Sequence, residues 1–219
     1  MAGYQIYIVD DHPLFRGALR QALDGSLADL TISEAGSLDE LTGKFEKSTV
    51  ADLVLLDLAM PGVKGFSGLM YLRAQFPEIP VVIVSGTEEP EAIRRSIEFG
   101  ASGYIPKSVP VESIREAVKA VLAGEIWTPP DLELDDIEDS DTTELVQRLA
   151  TLTPQQVRVL VMLGDGLLNK QIAYKLSVSE ATVKAHVSAI LQKLKVDSRT
   201  QAVIAVNKIS GGDWQKHAG

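Results

Sequence analysis

The sequence predicts an α/β fold, a five-stranded doubly wound parallel sheet, followed by an all-α unit of four helices. Three observations carry this. Short apolar runs without alternation, at Ile6 to Val9, Leu53 to Leu56 and Val81 to Val84, read as strands buried on both faces. Amphipathic helical patterns separate them, which makes βα units with right-handed crossovers. The charge then reverses along the chain: residues 1–127 carry a net −7, residues 128–150 a further −7, and residues 151–219 a net +5. An acidic front, a more acidic middle and a basic end predict separate modules, the last with a polyanionic partner.

The elements follow in order. After the Ile6 strand and Asp10-Asp11, Pro13 opens a helix with Leu14, Ala18 and Ala22 on one side. Thr31 to Ala35 is the second strand, and Ser37 with Glu40 is a capping box for a helix to about Lys47. The third strand, Leu53 to Leu56, ends at Asp57 and the Pro61-Gly62 turn; a helix from about Ser67 to Phe76 follows and is stopped by Pro77 and Pro80. The Val81 strand ends in Ser85-Gly86, and a helix from about Pro90 to Phe99 stops at Gly100, which suits a left-handed cap. Tyr104 and Ile105 form a fifth strand that reaches Lys107, before a helix from about Val111 to Ala123.

From Thr128-Pro129-Pro130 the character changes. Asp131, Glu133, Asp135, Asp136, Glu138, Asp139, Asp141 and Glu144 precede the first base, Arg148, which predicts an extended acidic linker over 128–150. A helix resumes from about Thr142, with Leu145, Val146 and Leu149 as its apolar side. A sharper expectation is that the acidic run lies against the basic end and competes with its partner.

The end unit, 151–209, is all helical. Thr153-Pro154-Gln155-Gln156 joins an N-cap, a first-turn proline and a capping-box glutamine for a helix to Leu163. A short helix over Asn169 to Leu176, a turn at Ser177 to Ser179 and a longer helix to about Leu194 make a helix-turn-helix. Ser198 and Gln201 start a last helix through about Asn207, and 210–219, with Gly211, Gly212 and Trp214, reads as a disordered tail.

Composition removes several classes. There is no cysteine, hence no disulfide and no thiolate zinc site. No stretch is apolar enough to span a bilayer and the start reads straight into a strand, so a soluble, cytoplasmic protein without a membrane partner is expected.

The predicted strand ends line up on one edge, the edge where open α/β sheets bind ligands. Strand one delivers Asp10 and Asp11, strand three Asp57, strand four Ser85 and strand five Lys107. Crowded carboxylates repel by roughly 4 kcal/mol per close pair at an effective dielectric near 20. A hard divalent cation with oxygen ligands, Mg²⁺, relieves that repulsion, and a lysine and a hydroxyl opposite suit a phosphoryl group. These are the parts that phosphoryl transfer to a carboxylate requires.

These residues resemble the flavodoxin-like receiver domain of two-component response regulators, over nearly all of residues 4–123. The resemblance implies that Asp57 is the phosphoacceptor. Asp11 would ligate Mg²⁺ directly, Asp10 mainly through water, and the Ala59 carbonyl would be a further ligand. Lys107 would pair with the phosphoryl oxygens, while Ser85 would hydrogen-bond them and Tyr104 would turn inward with Ser85. Ala59 and Thr87, both small, flank the site and suggest a phosphoryl lifetime that is not especially long. One departure is Ser108 after Lys107, where many receivers carry proline, so the family's cis Lys-Pro bond does not carry over and the isomer of this peptide stays open.

In the end unit, Leu152-Thr153-Pro154, Asn169-Lys170-Gln171-Ile172-Ala173, Ser179-Glu180, Thr182-Val183-Lys184, His186, Lys193-Leu194 and Arg199 resemble the LuxR-type DNA-binding domain. Gln156 and Asp197 stand where that family usually has glutamate and often has asparagine. A receiver joined to this domain resembles a NarL/FixJ-class response regulator. On the longer helix Val183, Val187, Ile190, Leu191 and Leu194 read as the buried stripe, leaving Glu180, Thr182, Lys184, Ala185 and Ser188 for DNA. Lys184 is the candidate major-groove contact, and Ala185 could meet a thymine methyl, while Ser188 could need a bridging water. Asn169, Lys170 and Thr182 read as phosphate anchors, with Lys193, Lys195 and Arg199 extending the basic face. His186 has no partner at metal spacing and reads as helix packing or a phosphate contact.

The function expected from this reading is phosphorylation-dependent binding of double-stranded promoter DNA. A sensor histidine kinase would be the donor, a homodimer would form on phosphorylation, and RNA polymerase would be a further partner. Two alternatives stay open. One is a regulator whose receiver is never phosphorylated and serves as a dimerisation scaffold. The other is a Mg²⁺-dependent hydrolase working through an aspartyl phosphate; the expectation is that the chain is not an enzyme.

Overall fold

The computed structural model describes residues 3–45, 50–61, 63, 65–130 and 140–210, with the backbone alone at 140–143, 146 and 206–210. Lys47, Gly62, the acidic run Asp131 to Asp139 and the tail from Gly211 lie outside the described residues. The amino-terminal part runs β1(Gln5–Val9), α1(Pro13–Leu23), β2(Thr31–Ala35), α2(Leu38–Phe45), β3(Leu53–Leu56), α3(Ser67–Gln75), β4(Val81–Ser85), α4(Pro90–Glu98), β5(Gly103–Pro106) and α5(Val111–Leu122). The strands form one parallel sheet in the order β2-β1-β3-β4-β5.

Alternate residues of each strand feed two apolar layers, because successive side chains leave a strand on opposite faces. Ile6, Ile8, Leu53, Leu55, Val82, Val84 and Ile105 pack with Leu19 and Leu23 of α1 and Ile114 and Val118 of α5. Tyr7, Val9, Val54, Leu56, Val81, Ile83 and Tyr104 pack on the other face with Leu41, Leu69, Leu72 and Ile93 from α2, α3 and α4. The strand order reverses direction between β1 and β3, which opens a crevice at their carboxyl ends.

Past α5, Trp127 lies as an isolated bridge along Gly103 of β5: Tyr104 N donates to Trp127 O at 2.9 Å and Trp127 N to Ser102 O at 3.2 Å. Gly103 permits this approach, since a Cβ there would stand 2.9 Å from Trp127 O. Trp127, just before the linker, thus lies along the edge strand of the sheet.

The helical part comprises α6(Ser140–Ala150), α7(Pro154–Gly164), α8(Asn169–Leu176), α9(Glu180–Leu194) and α10(Arg199–Ser210). The expected helix from Thr142 starts at Ser140, and Ser210, expected in the tail, closes α10. The Thr153 capping box is complete, with Gln156 N on Thr153 Oγ1 at 3.4 Å and Thr153 N on Gln156 Oε1 at 2.9 Å. The boxes at Ser37 and Ser198 close one residue early: Glu40 Oε2 accepts from Gly36 N at 2.8 Å and Gln201 Oε1 from Asp197 N at 2.8 Å.

Helix α7 packs on α3 as well as on α9 and α10, and α6 packs on α3 and α9. Leu149, Leu152, Val157, Leu160 and Ile190 therefore join the same apolar cluster as Phe66, Leu69 and Leu72. The two parts meet across a shared apolar cluster.

Candidate functional site

The ends of β1 and β3 place Asp10 and Asp57 side by side in the crevice, 1% exposed each. Asp57 N donates to Val9 O at 2.9 Å and Asp10 N to Ala35 O at 3.1 Å, so the sheet itself sets both backbones. The ligand atoms of Asp10, Asp11, His12 and Asp57 all lie within 4.8 Å of one another. Neither Asp57 oxygen nor Asp11 Oδ1 makes a well-formed hydrogen bond; the charged groups nearest them are Lys107 Nζ, 3.2 Å from Asp57 Oδ2, and His12 Nδ1, 2.9 Å from Asp11 Oδ1. Burial pushes the Asp57 carboxyl above the usual range; the Lys107 charge opposes that rise and the Asp10 charge adds to it.

Lys107 comes off β5 with its amide on Ser85 O at 2.7 Å. Its Nζ bonds Asp10 Oδ2 at 2.7 Å, stands 3.2 Å from Asp57 Oδ2, and lies 4.5 Å above the Phe15 ring. The Lys107–Ser108 peptide is trans. Ser85, buried at the end of β4, accepts from Thr87 N at 3.3 Å. Ala59 is exposed, two residues beyond Asp57.

Tyr104 is fully buried, its hydroxyl donating to Thr87 O at 2.7 Å, and burial pushes its pKa up to about 12.

His12 belongs to the cluster and is absent from the sequence-based set. Its Nδ1 lies 3.1 Å from Asp10 Oδ1 and 2.9 Å from Asp11 Oδ1, with the ring largely exposed. Its place directly after the acid pair was the available signal.

On the helix-turn-helix, Ser177 takes the left-handed conformation at φ 52° and Ser179 caps α9, accepting from Thr182 N at 3.0 Å. Val183, Ile190 and Leu194 are buried and Val187 and Leu191 partly so, as the helical spacing predicts. Glu180, Thr182, Lys184, Ala185 and Ser188 form the exposed face of α9, and Lys170 of α8 is exposed too. Lys184 Nζ pairs with Glu180 at 3.2 Å, and the Thr182 hydroxyl lies 2.8 Å from Ser179 Oγ. His186 is half-buried, with no second metal-ligand side chain grouped with it among the described residues.

Three other basic-face candidates have partners within the chain. Lys193 Nζ donates to Thr151 O at 2.7 Å and Gln156 Oε1 at 2.9 Å, tying α9 to the start of α7. Arg199 reaches Leu167 O and the Asn169 side chain, which is the one Asn169 shows. Lys195, with φ 54° at the α9 cap, lies 3.8 Å from Glu144. The outer face of α9 is thus presented while its carboxyl end is tied down.

An acid-lined crevice at a sheet's switch point, joined to a helix-turn-helix with an exposed second helix, defines a two-domain DNA-binding signalling protein. The comparisons with known proteins name the family. The response regulator receiver domain matches residues 6–119, and the luxR family of bacterial regulatory proteins matches residues 150–206. A glycerol metabolism activator of Pseudomonas putida is 40% identical over 222 residues, covering 94% of this chain and 96% of its own. The nitrate/nitrite response regulator NarL of Escherichia coli (strain K12) is 33% identical over 208 residues, 93% of this chain and 94% of its own. A LuxR family DNA-binding response regulator from Silicibacter pomeroyi superposes with a TM-score of 0.52 at 34% identity, covering 58% of this chain and 98% of its own. RcsB of Salmonella enterica serovar Typhimurium, bound to promoter P1flhDC with the phosphomimetic BeF3-, shares the fold at 22% identity and a TM-score of 0.58, covering 94% and 99%. The chain belongs to the NarL/FixJ class of response regulators. It is a two-component, DNA-binding transcription regulator.

Proposed function

We propose that Asp57 accepts a phosphoryl group from a sensor histidine kinase and that this controls binding of double-stranded promoter DNA by a homodimer. The observation that carries the proposal is Asp57 itself, a buried carboxylate whose oxygens lack well-formed hydrogen bonds, crowded by two further acids and paired with only one lysine, at 3.2 Å. A buried charge left in that state is costly unless a ligand completes it.

The crevice fits Mg²⁺: the donors are oxygens, three of them unsatisfied, and their spacing lets one ion touch several. Asp11, Asp57 and the Ala59 carbonyl would hold it, with Asp10 acting mainly through water. Bound there, the ion supplies charge neutralisation between acceptor and phosphoryl oxygens. An Asp57 oxygen attacks phosphorus in line, the new O–P bond forms as the P–N bond to the donor histidine breaks, and that histidine leaves with a proton. Lys107 needs only a small shift from Asp10 and Asp57 to meet the phosphoryl oxygens, whose added charge of about −2 it offsets. The Ser85 hydroxyl donates to another of those oxygens. Its neighbour Thr87 carries the bond to Tyr104, so a move at Ser85 loads that bond first.

For DNA, Lys184 and Ala185 would read the major groove with Ser188 through water, and Lys170 and Thr182 would hold phosphates. Two such domains reach half-sites about one helical turn apart. The Pseudomonas putida relative is named an activator. Activation is the sense proposed here, with RNA polymerase as the further partner.

The test measures mass, oligomeric state and promoter affinity for the wild type and Asp57→Asn, each with Mg²⁺ and acetyl phosphate. The expected result is one added phosphoryl group, dimerisation and tighter DNA binding in the wild type alone. Identical behaviour without phosphorylation overturns the proposal and leaves the receiver as a scaffold.

A further inference from the structure

Asp11 presents a contrast with its neighbour. Asp10 is held at four points: its N on Ala35 O at 3.1 Å, its Oδ1 on His12 N at 2.7 Å, its Oδ2 on Lys107 Nζ at 2.7 Å, and its carbonyl on Arg16 Nη1 at 2.6 Å. Asp11 Oδ1, the oxygen next in line for a cation, is buried without a well-formed hydrogen bond, its one charged neighbour being His12 Nδ1 at 2.9 Å on a largely exposed ring. Its direction therefore follows chiefly from the plane of the Asp10–Asp11 peptide, whose carbonyl is the one Arg16 grips.

Arg16 is built for that grip. It sits in the first turns of α1, its side chain is 17% exposed, and its Nε bonds Glu34 Oε2 at 3.2 Å. Glu34 lies on β2 opposite Ile8 of β1, and Arg20 takes its other oxygen at 2.7 Å. Lys44 of α2 donates to the Glu34 backbone carbonyl. The guanidinium is thus braced by β2 and α2 while it reaches back to the β1–α1 turn. A planar fork with two bonds in fixed directions loses little freedom on doing this.

We propose that Arg16 is a positioning residue for the phosphoacceptor site: by fixing the Asp10 carbonyl it aims Asp11 and so sets the affinity for the divalent cation. The proposal rests on the phosphoacceptor reading only for its second readout. Electrostatics alone makes the opposite prediction. A positive charge near the crevice repels a cation, so removing Arg16 would tighten binding if charge were all it contributed. Glu34, which Arg20 shares, offsets only part of that charge, so the sign of the change on removing Arg16 separates geometry from charge.

The experiment uses the full chain as wild type, Arg16→Ala and Arg16→Lys. First, melting temperature is followed against Mg²⁺ with no phosphodonor. Second, the rate of mass gain from acetyl phosphate is followed against Mg²⁺. For Arg16→Ala the half-saturating Mg²⁺ is expected to rise about tenfold or more in both, as for loss of other groups that orient metal ligands. The rate at saturating Mg²⁺ stays within about twofold, because the transfer chemistry is untouched. Arg16→Lys, able to make one of the two bonds, falls between. An unchanged or lowered half-saturation overturns the proposal, as does a lost maximal rate with Mg²⁺ dependence unchanged. If the wild type melts higher in Mg²⁺ but gains no phosphoryl group, the phosphoacceptor reading fails and the melting series still decides the role of Arg16. If Arg16→Ala does not fold, the Arg16→Lys series decides alone.

Discussion

The receiver and the helix-turn-helix domain place function on opposite sides of the burial line. In the receiver the proposed phosphoacceptor is 1% exposed and its oxygens lack well-formed hydrogen bonds, so the proposed function rests on an interior that burial makes unfavourable. In the helical domain the residues proposed to face DNA on α9 are exposed while its apolar stripe is satisfied. The difference teaches that receiver variants should couple function to stability, and DNA-face variants should separate them.

The largest effect that tests this comparison lies in the stripe beneath α9. Ile190→Ala empties a fully buried site and should lower stability by about 2–5 kcal/mol, measured by denaturant unfolding, with DNA binding lost only as the fold is lost. Retained stability would mean that α9 is not held by its stripe.

Asp57→Asn comes next and has the opposite sign. Without divalent cation it should raise stability by about 1–3 kcal/mol, since it removes a charge whose burial Lys107 only partly offsets. The pH dependence follows from the raised Asp57 pKa. The fold favours the protonated acid, so the wild type is helped at pH below the ordinary carboxylate range, and that help is lost as pH rises through the folded value. Wild type and variant should therefore converge in acid and separate towards neutrality. Mg²⁺ should raise the stability of the wild type by about 2.7 kcal/mol at a hundredfold excess over Kd, seen as a higher melting point, and that of the variant much less. A wild type that gains stability relative to the variant as pH rises would contradict the crevice electrostatics.

The smallest stability effect belongs to Lys184→Ala. Its partner Glu180 is exposed, so stability should move by less than about 0.5 kcal/mol. Binding should still weaken, with the salt slope lowered by about one if Lys184 meets a phosphate, or one base position relaxed if it reads an edge. Binding unchanged in both respects would remove Lys184 from the interface.

Much of this was legible because it is local. Apolar runs identified the strands, and the order of acids, hydroxyl and lysine at their ends placed Asp10, Asp11, Asp57, Ser85 and Lys107 on one edge. Spacing on α9 separated Val183, Ile190 and Leu194 from Lys184 and Ser188. Side chains that act at a distance were not legible. Lys193 read as part of the basic face, and only the fold brings Thr151 and Gln156 to it. A clue to the seam between the parts was present in α7, where Val157, Val159, Leu160 and Leu163 are buried and Val161 and Met162 partly so. A helix apolar on most sides has more than one neighbour, though sequence does not say which.

The sequence by itself determined the units, their order and the chemistry at each strand end, because burial period, capping and turn preference act within a few residues. Only the tertiary structure decided that α3 meets α7, that Trp127 lies along Gly103, and that Arg16 reaches the Asp10 carbonyl. These contacts join residues whose own local preferences are already met. Nothing in their neighbourhoods distinguishes them from surface, and the closeness that makes them exists only once the sheet has ordered its strands.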